Sequence, residues 1–157
     1  MVDFRPPQHQ EHKAAQLKHL EVTPLQENRE HIDSVDSLSA NPVNRAQYAS
    51  ASHDGTIKLW DANSHRCLKT MRGHEDGVWS LNYMTDGRQM ISASVDGKAK
   101  IWDANSGQCS STLDFHQSKC YTAVANEAMN MAATVSADRK IAIWDLRKIQ
   151  APLFVNE

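Results

Sequence analysis

The sequence predicts an all-β repeat protein of three four-stranded antiparallel meanders in series, and three observations carry that prediction. The run QMISASVDGKAKIWD at Gln89 to Asp103 recurs 42 residues earlier as QYASASHDGTIKLWD, at Gln47 to Asp61, and 42 residues later in a run ending at Asp145. Trp60, Trp102 and Trp144 are therefore equally spaced, and a fixed period in the forties marks a repeat architecture. Each copy also places two β-favouring runs around a tight turn. Asp54-Gly55 and Asp96-Gly97 supply the positive φ angles that a two-residue hairpin needs, and Asp138-Arg139 holds that place in the third copy.

Taken in order, residues 1–19 are polar, carry Pro6-Pro7, and are expected to be poorly ordered. Glu11 to Leu20 has the pattern of a short helix, too short to persist alone in water. His9 and His12 have a spacing that could hold a metal on a helix, but no cysteine or second pair joins them, so no metal site is expected. The repeat region covers 20–157. Leu20 to Leu25 reads as an edge strand with Pro24, preceding His31 as the run Cys67 to Met71 precedes His74. It is expected to be the outer strand of a module whose other strands are not in this sequence.

The first full module spans about 31–71, with strands at Ile32 to Ser39, Ala46 to Ser52, Thr56 to Asp61 and Arg66 to Met71. The second spans about 74–113, with strands near 78–84, 89–95, 98–103 and 108–113. The third spans about 116–155, with strands near 119–125, 130–136, 139–145 and 152–155. Asn126 to Ala128 replaces the glycine turn found at the same place in the second module.

Seventeen basic residues against nineteen acidic ones give a net charge of -2 with no block of either sign, so neither nucleic acid nor an anionic membrane is an expected partner. No apolar run approaches the length of about 18 residues that a membrane span requires, and MVDFRPPQHQ lacks the basic-then-apolar layout of a secretory signal. An intracellular location, cytoplasmic or nuclear, is the expectation. Cys67 and Cys109 hold the same place in successive repeats and Cys120 is left over, a pattern of reduced thiols rather than a bridge.

A polar set recurs in register: His31, Ser50, Asp54 and Trp60; His74, Ser92, Asp96 and Trp102; His116, Thr134, Asp138 and Trp144. Serine with histidine and aspartate invites comparison with a hydrolase triad. A catalytic site needs one activated nucleophile in a cleft, whereas this set appears three times and always with an indole. Architecture is the better reading: a buried indole N–H and a buried imidazole must find partners, and a turn aspartate and a strand hydroxyl can provide them. No glycine-rich phosphate loop, paired cysteines or histidine cluster accompanies it, so no catalytic residue, cofactor or enzymatic activity is expected.

Gly73-His74, Asp96-Gly97 and the pairs Trp60-Asp61, Trp102-Asp103 and Trp144-Asp145 resemble the WD40 repeat family over about residues 20–157. The resemblance implies WD40-type β-propeller blades, here three, forming an incomplete propeller. Glu30 and Phe115 depart from the family's glycine before histidine, and Arg139 from its glycine after aspartate; the tightness of those turns is the open point. Propellers close with about four to eight blades, so three leave two apolar faces. A piece of a longer propeller, completion by self-association or a partner, and an open arc are the alternatives.

The resemblance further implies a non-catalytic scaffold mediating protein–protein interaction and complex assembly. Asp36, Trp79 and Tyr121 align five residues after each histidine, and His53 stands just before a turn aspartate; varied chemistry on a constant frame marks them as partner-binding candidates. Packing of Trp79 and Tyr121 between blades is the competing reading. Trp144-Asp145-Leu146-Arg147 resembles the box by which WD40 substrate receptors dock on the adaptor of cullin-4 RING ubiquitin ligases, with Arg147 the docking residue.

Overall fold

The computed structural model describes residues 28–156, which leaves the expected tail, the short helix and the Leu20 to Leu25 strand outside the described residues. Twelve strands follow in order. The first blade holds β1 (Val35–Ala40), β2 (Gln47–Ser52), β3 (Ile57–Asp61) and β4 (Arg66–Met71). The second holds β5 (Val78–Tyr83), β6 (Gln89–Ser94), β7 (Ala99–Asp103) and β8 (Cys109–Leu113). The third holds β9 (Cys120–Asn126), β10 (Met131–Ser136), β11 (Ile141–Asp145) and β12 (Phe154–Asn156). Each blade is a separate antiparallel sheet whose strands pair in sequence order. The arrangement is that of three WD40 blades of a partial propeller.

Strand alternation sends side chains to both faces of a sheet. In β6 both faces are covered, so Met90, Ile91, Ser92, Ala93 and Ser94 are all buried. Two cores result. Ala49, Ala51, Ile57, Leu59 and Met71 of the first blade pack on Val78, Leu81, Met90 and Trp102 of the second. Ile91, Ala93, Ala99, Ile101 and Leu113 of the second pack in turn on Cys120, Ala123, Ala132, Ala142 and Trp144 of the third. Each junction thus sets a tryptophan-bearing face against a face of alanine and branched aliphatics.

The inner strands β1, β5 and β9 are sheet edges, and edges carry backbone groups without a ladder partner. Neighbouring blades supply partners through side chains. The Leu81 and Tyr83 amides donate to Ser37 Oγ and Ser39 Oγ at 3.1 and 2.9 Å. Asn82 Nδ2 donates to the Ala123 carbonyl at 3.0 Å, and the Ser80 and Thr122 hydroxyls lie 3.0 Å apart.

Several local features differ from the sequence expectation: only the glycine of each Asp-Gly pair takes positive φ, and β11 starts at Ile141 rather than near 139. β1 begins at Val35, not Ile32, because the Ile32 amide donates to Asp54 at 3.1 Å and the Ser34 amide to Asp33 at 2.7 Å, which holds 32–34 in a turn. The third blade's missing glycine turn is a 3-10 turn at Glu127–Met129, with Asn126 Oδ1 accepting from the Met129 amide and Asn130 at φ 51. β10 accordingly starts after Asn130. β12 is only three residues long and pairs Ile141 with Asn156, one position further along than the Ala99–Leu113 pair of the second blade.

The departures from the glycine pattern are absorbed locally. Phe115 sets its ring edge-on to Trp144, with centroids 6.5 Å apart, whereas a side chain at Gly73 would start 3.1 Å from Trp102. Arg139 adopts φ 70, close to Gly55 at 79 and Gly97 at 84. Its amide closes the turn on the Ser136 carbonyl at 3.1 Å, as Gly97 does on Ser94. An L side chain in this left-handed region is strained, while glycine costs entropy in the unfolded chain. Arg139→Gly should therefore raise stability by about 0.5–1 kcal/mol, and Gly97→Ala should lower it by at least about 1 kcal/mol; urea unfolding midpoints of the three proteins check both signs.

Candidate functional site

Two sets of side chains qualify as sites, one buried and threefold, the other exposed and single. In the buried set each tryptophan N–H donates to a hydroxyl on the neighbouring strand: Trp60 to Ser50 at 2.8 Å, Trp102 to Ser92 at 2.8 Å, Trp144 to Thr134 at 3.0 Å. The same hydroxyls lie 2.7, 2.8 and 2.8 Å from Nε2 of His31, His74 and His116. The histidines place Nδ1 at 2.9, 2.8 and 3.0 Å from Asp54, Asp96 and Asp138. With the proton on Nδ1, every donor in the chain has an acceptor: indole to hydroxyl, hydroxyl to Nε2, Nδ1–H to carboxylate.

These distances are those of a serine–histidine–aspartate relay, yet Ser50, Ser92 and Thr134 are buried under their own tryptophans and each accepts the indole proton. No substrate carbonyl can reach them. The aspartates also tie the turn: Asp54, Asp96 and Asp138 accept the amides of Thr56, Lys98 and Lys140 at 2.8 to 2.9 Å. A further recurring hydroxyl escaped the sequence reading. Ser52, Ser94 and Ser136 take the amide of the residue two further on, the turn aspartate, at 3.1 Å in all three blades, and donate to the carbonyls of Asp33, Asp76 and Ser118. Their 42-residue spacing was the available signal.

Burial pushes the Asp96 carboxyl up, but hydrogen bonds from His74 and from the Lys98 and Glu75 amides outweigh it and hold the group at about 2. Asp54 and Asp138 are likewise held below their ordinary value against burial, by bonds from Thr56 and His31 and from His116. Cys120, buried in the second junction and close to Asp96 and Asp138, is pushed up to about 12, so it is an inert thiol.

The exposed set runs across the start of the inner strands. Asp36 accepts from the Ser34 hydroxyl at 3.1 Å and lies 3.6 Å from His53 Nδ1. The Trp79 indole N–H points at that same nitrogen, 3.4 Å away. On its other side Trp79 stacks on Tyr121, with ring centroids 5.5 Å apart and planes 7° from parallel. The structure therefore brings Asp36, His53, Trp79 and Tyr121 into one row over three blades. Lys119, whose Nζ lies 5.3 Å from the Trp79 centroid, joins them; it was missed because it precedes β9 and Tyr121 sits at a bulge between Cys120 and Thr122, where simple alternation of faces does not hold. Tyr121 remains 50% exposed despite the stack.

Arg147 is not part of this row. Asp145 pairs with Met131, which pairs with Asn126 at the far end of β9 from Tyr121, so Arg147 sits at the opposite end of the blade. Its Nε and Nη2 grip the two Asp145 oxygens at 2.8 Å each, and this fork holds the Asp145 carboxyl at about 2. His9 and His12 lie outside the described residues, among which no group of three metal-ligating side chains converges.

Because the folded-state pKa of Asp96 lies below its ordinary value of 3.8, its contribution is present above about pH 4 and is lost as pH falls toward about 2. Melting temperatures should drop across that window, and Asp96→Asn should flatten part of the fall. At neutral pH Asp96→Ala should cost about 1–3 kcal/mol by leaving His74 Nδ1 and the Glu75 amide without an acceptor.

The family described as "WD domain, G-beta repeat" matches residues 22–61, 65–103 and 107–145. Each match ends on a Trp-Asp pair, and the second and third begin before β4 and β8, so each of these two repeats contributes the outer strand of one sheet and three strands of the next. Among curated proteins, the guanine nucleotide-binding protein subunit beta of Zea mays is 38% identical over 38% of this chain and 16% of its own length. Coronin-7 of Rattus norvegicus is 32% identical over 47% of this chain and 8% of its own length. The mouse F-box-like/WD repeat-containing protein TBL1X is 36% identical over 32% and 10%. The matched segments are thus a small part of each relative. With the family matched over most of its length and the same four-residue bonding chain in all three sheets, this chain belongs to the WD40 repeat family.

Proposed function

We propose that this chain is a non-catalytic platform that holds other proteins in a complex, inside the cell, and that it docks a partner across Asp36, His53, Trp79 and Tyr121. WD40 proteins serve generally as interaction scaffolds, and relatives named as a guanine nucleotide-binding protein subunit and an F-box-like protein fit that role. The observation that carries the reading is the Trp79–Tyr121 stack: aromatic surface held rigid by its neighbour yet half open to solvent. Rigid amphipathic rings lose little entropy on binding, and such side chains dominate interface energetics.

Two variants both delete the stack but differ in what else they remove. Tyr121→Ala loses the stack and an exposed ring and should abolish capture of the partner with a change of about 1 kcal/mol or less in stability. Trp79→Ala should abolish capture as well but cost about 1–2 kcal/mol, since it also deletes the contacts with His53 and Lys119. Affinity capture from the native cell together with thermal melts reads both. Capture unchanged in Tyr121→Ala would return these rings to a packing role.

The alternative, a substrate receptor of a cullin-4 RING ligase docking through Trp144 to Arg147, is favoured by the Asp145 fork, which presents a rigid, exposed guanidinium at the other end of the blade. Arg147→Ala should then remove the ligase adaptor from purified complexes and leave Tyr121-dependent capture intact. Adaptor recovery at the wild-type level would count against this reading alone.

A further inference from the structure

The seam between the first two blades holds a titratable ring, and the matching place in the next seam holds a valine. His53 and Val95 each precede a turn aspartate, and their amides bond to the Ser34 and Gly77 carbonyls at 2.9 Å, so the two sit alike in their blades. The His53 ring lies against Gly77 of the second blade, where a Cβ would stand 2.7 Å from Nδ1 and 3.0 Å from Cγ. Gly77 is not among the glycines with positive φ, so its backbone does not require glycine; the imidazole beside it does. In the third blade the same place is taken by Lys119, whose carbonyl accepts the Ala137 amide.

Seated there, His53 turns Nδ1 to two groups that cannot both be served. The Trp79 indole N–H donates toward it from 3.4 Å, which needs the lone pair of a neutral ring protonated on Nε2. The Asp36 carboxylate lies 3.6 Å from the same nitrogen and needs a proton on it. We infer that His53 is a proton-operated switch between Trp79 and Asp36. Neutral, it holds the indole; protonated, it pairs with Asp36 and lets the indole go.

The other charged groups around the ring are already committed. Asp54, next in the chain, is bound to His31 and to the Thr56 amide, while Asp33 and Asp76 accept the Ser34 and Gly77 amides at 2.7 Å each. Lys119 stands beyond Trp79, over its ring. Asp36 is thus the carboxylate that pairs with this imidazole among the described residues, and the 43% exposure of the His53 side chain gives protons access from solvent. Because Trp79 also stacks on Tyr121, a change at the first seam reaches the third blade. The switch goes beyond the docking reading and stands without it, since it needs no partner.

Proton–nitrogen correlation spectra of the full chain from about pH 5 to about pH 8, the range in which imidazoles change charge, read the four indole N–H signals separately. Trp79→Phe assigns one of them by its loss. The Trp79 signal should move in a step that coincides with the His53 ring signals. In His53→Gln, whose amide oxygen can still take the indole proton, the step should vanish. Asp36→Asn should shift it to lower pH, because the protonated ring loses its counter-charge. Gly77→Ala displaces the ring, so His53 should still titrate while the Trp79 signal no longer follows it. The Trp60, Trp102 and Trp144 signals, held by buried hydroxyls, report that each variant keeps its fold. A Trp79 signal that stays flat across the range overturns the proposal, as does a step that survives His53→Gln. A step that Asp36→Asn leaves at the wild-type pH, or that Gly77→Ala leaves unchanged, overturns it too, since the ring would then titrate without exchanging partners.

Discussion

Each blade depends on one buried hydroxyl. Ser50, Ser92 and Thr134 accept an indole proton from the third strand and donate to an imidazole in the loop before the first, and none has water to fall back on. A satisfied buried bond contributes about 1 kcal/mol net, but a half-made one exposes the desolvation cost of the orphaned group, about 1–3 kcal/mol. The set is therefore all-or-none. It also acts between blades, since His74 directly follows the β4 region of the first blade while its ring is fixed inside the second.

The polar chain specifies geometry, and apolar burial supplies the larger part of the stabilisation. Because the second sheet is covered by a blade on each face, β6 uses alanine and serine where a one-sided sheet would show alternation of large apolar and charged residues, and β2 carries the same small-residue pattern. Small residues allow the close approach of successive blades, and the volume is made up by Trp102 and Trp144, which enter from one side only. That asymmetry gives each blade a distinct front and back. It fixes the order in which blades stack and leaves different surfaces at the two ends of the arc.

How much of this could be read from the sequence follows from the same chemistry. Tryptophan, histidine and the turn aspartate are legible because each has few ways of being satisfied when buried, so their period reports a bonding pattern. Ser52, Ser94 and Ser136 recur just as strictly, but serine is common and its bonds run to backbone carbonyls, which no residue identity reveals. The Arg139 turn keeps its shape because three hydrogen bonds around Asp138 and Ser136 impose φ 70 on a residue that resists it. The 3-10 turn at Glu127–Met129 hinges on a cap by Asn126 and a left-handed Asn130, features that two asparagines can only suggest. For the exposed row, a common offset from histidine aligned Asp36, Trp79 and Tyr121, whereas their joining through His53 and Lys119 depends on the lateral spacing of blades.

That offset explains why the exposed row can vary on this frame. The histidine loop is pinned at one end by the turn aspartate, which takes the amide following each histidine at 3.1 to 3.3 Å, and at the other by pairing of the inner strand. The residue five places on therefore has a fixed position, but its side chain takes no part in the buried bonding chain. Carboxylate, indole and phenol can occupy the same site in successive blades without altering what holds the blades together. The bonds that hold the blades and the side chains of the exposed row use adjacent but separate atoms, so the chemistry of the row is free to vary.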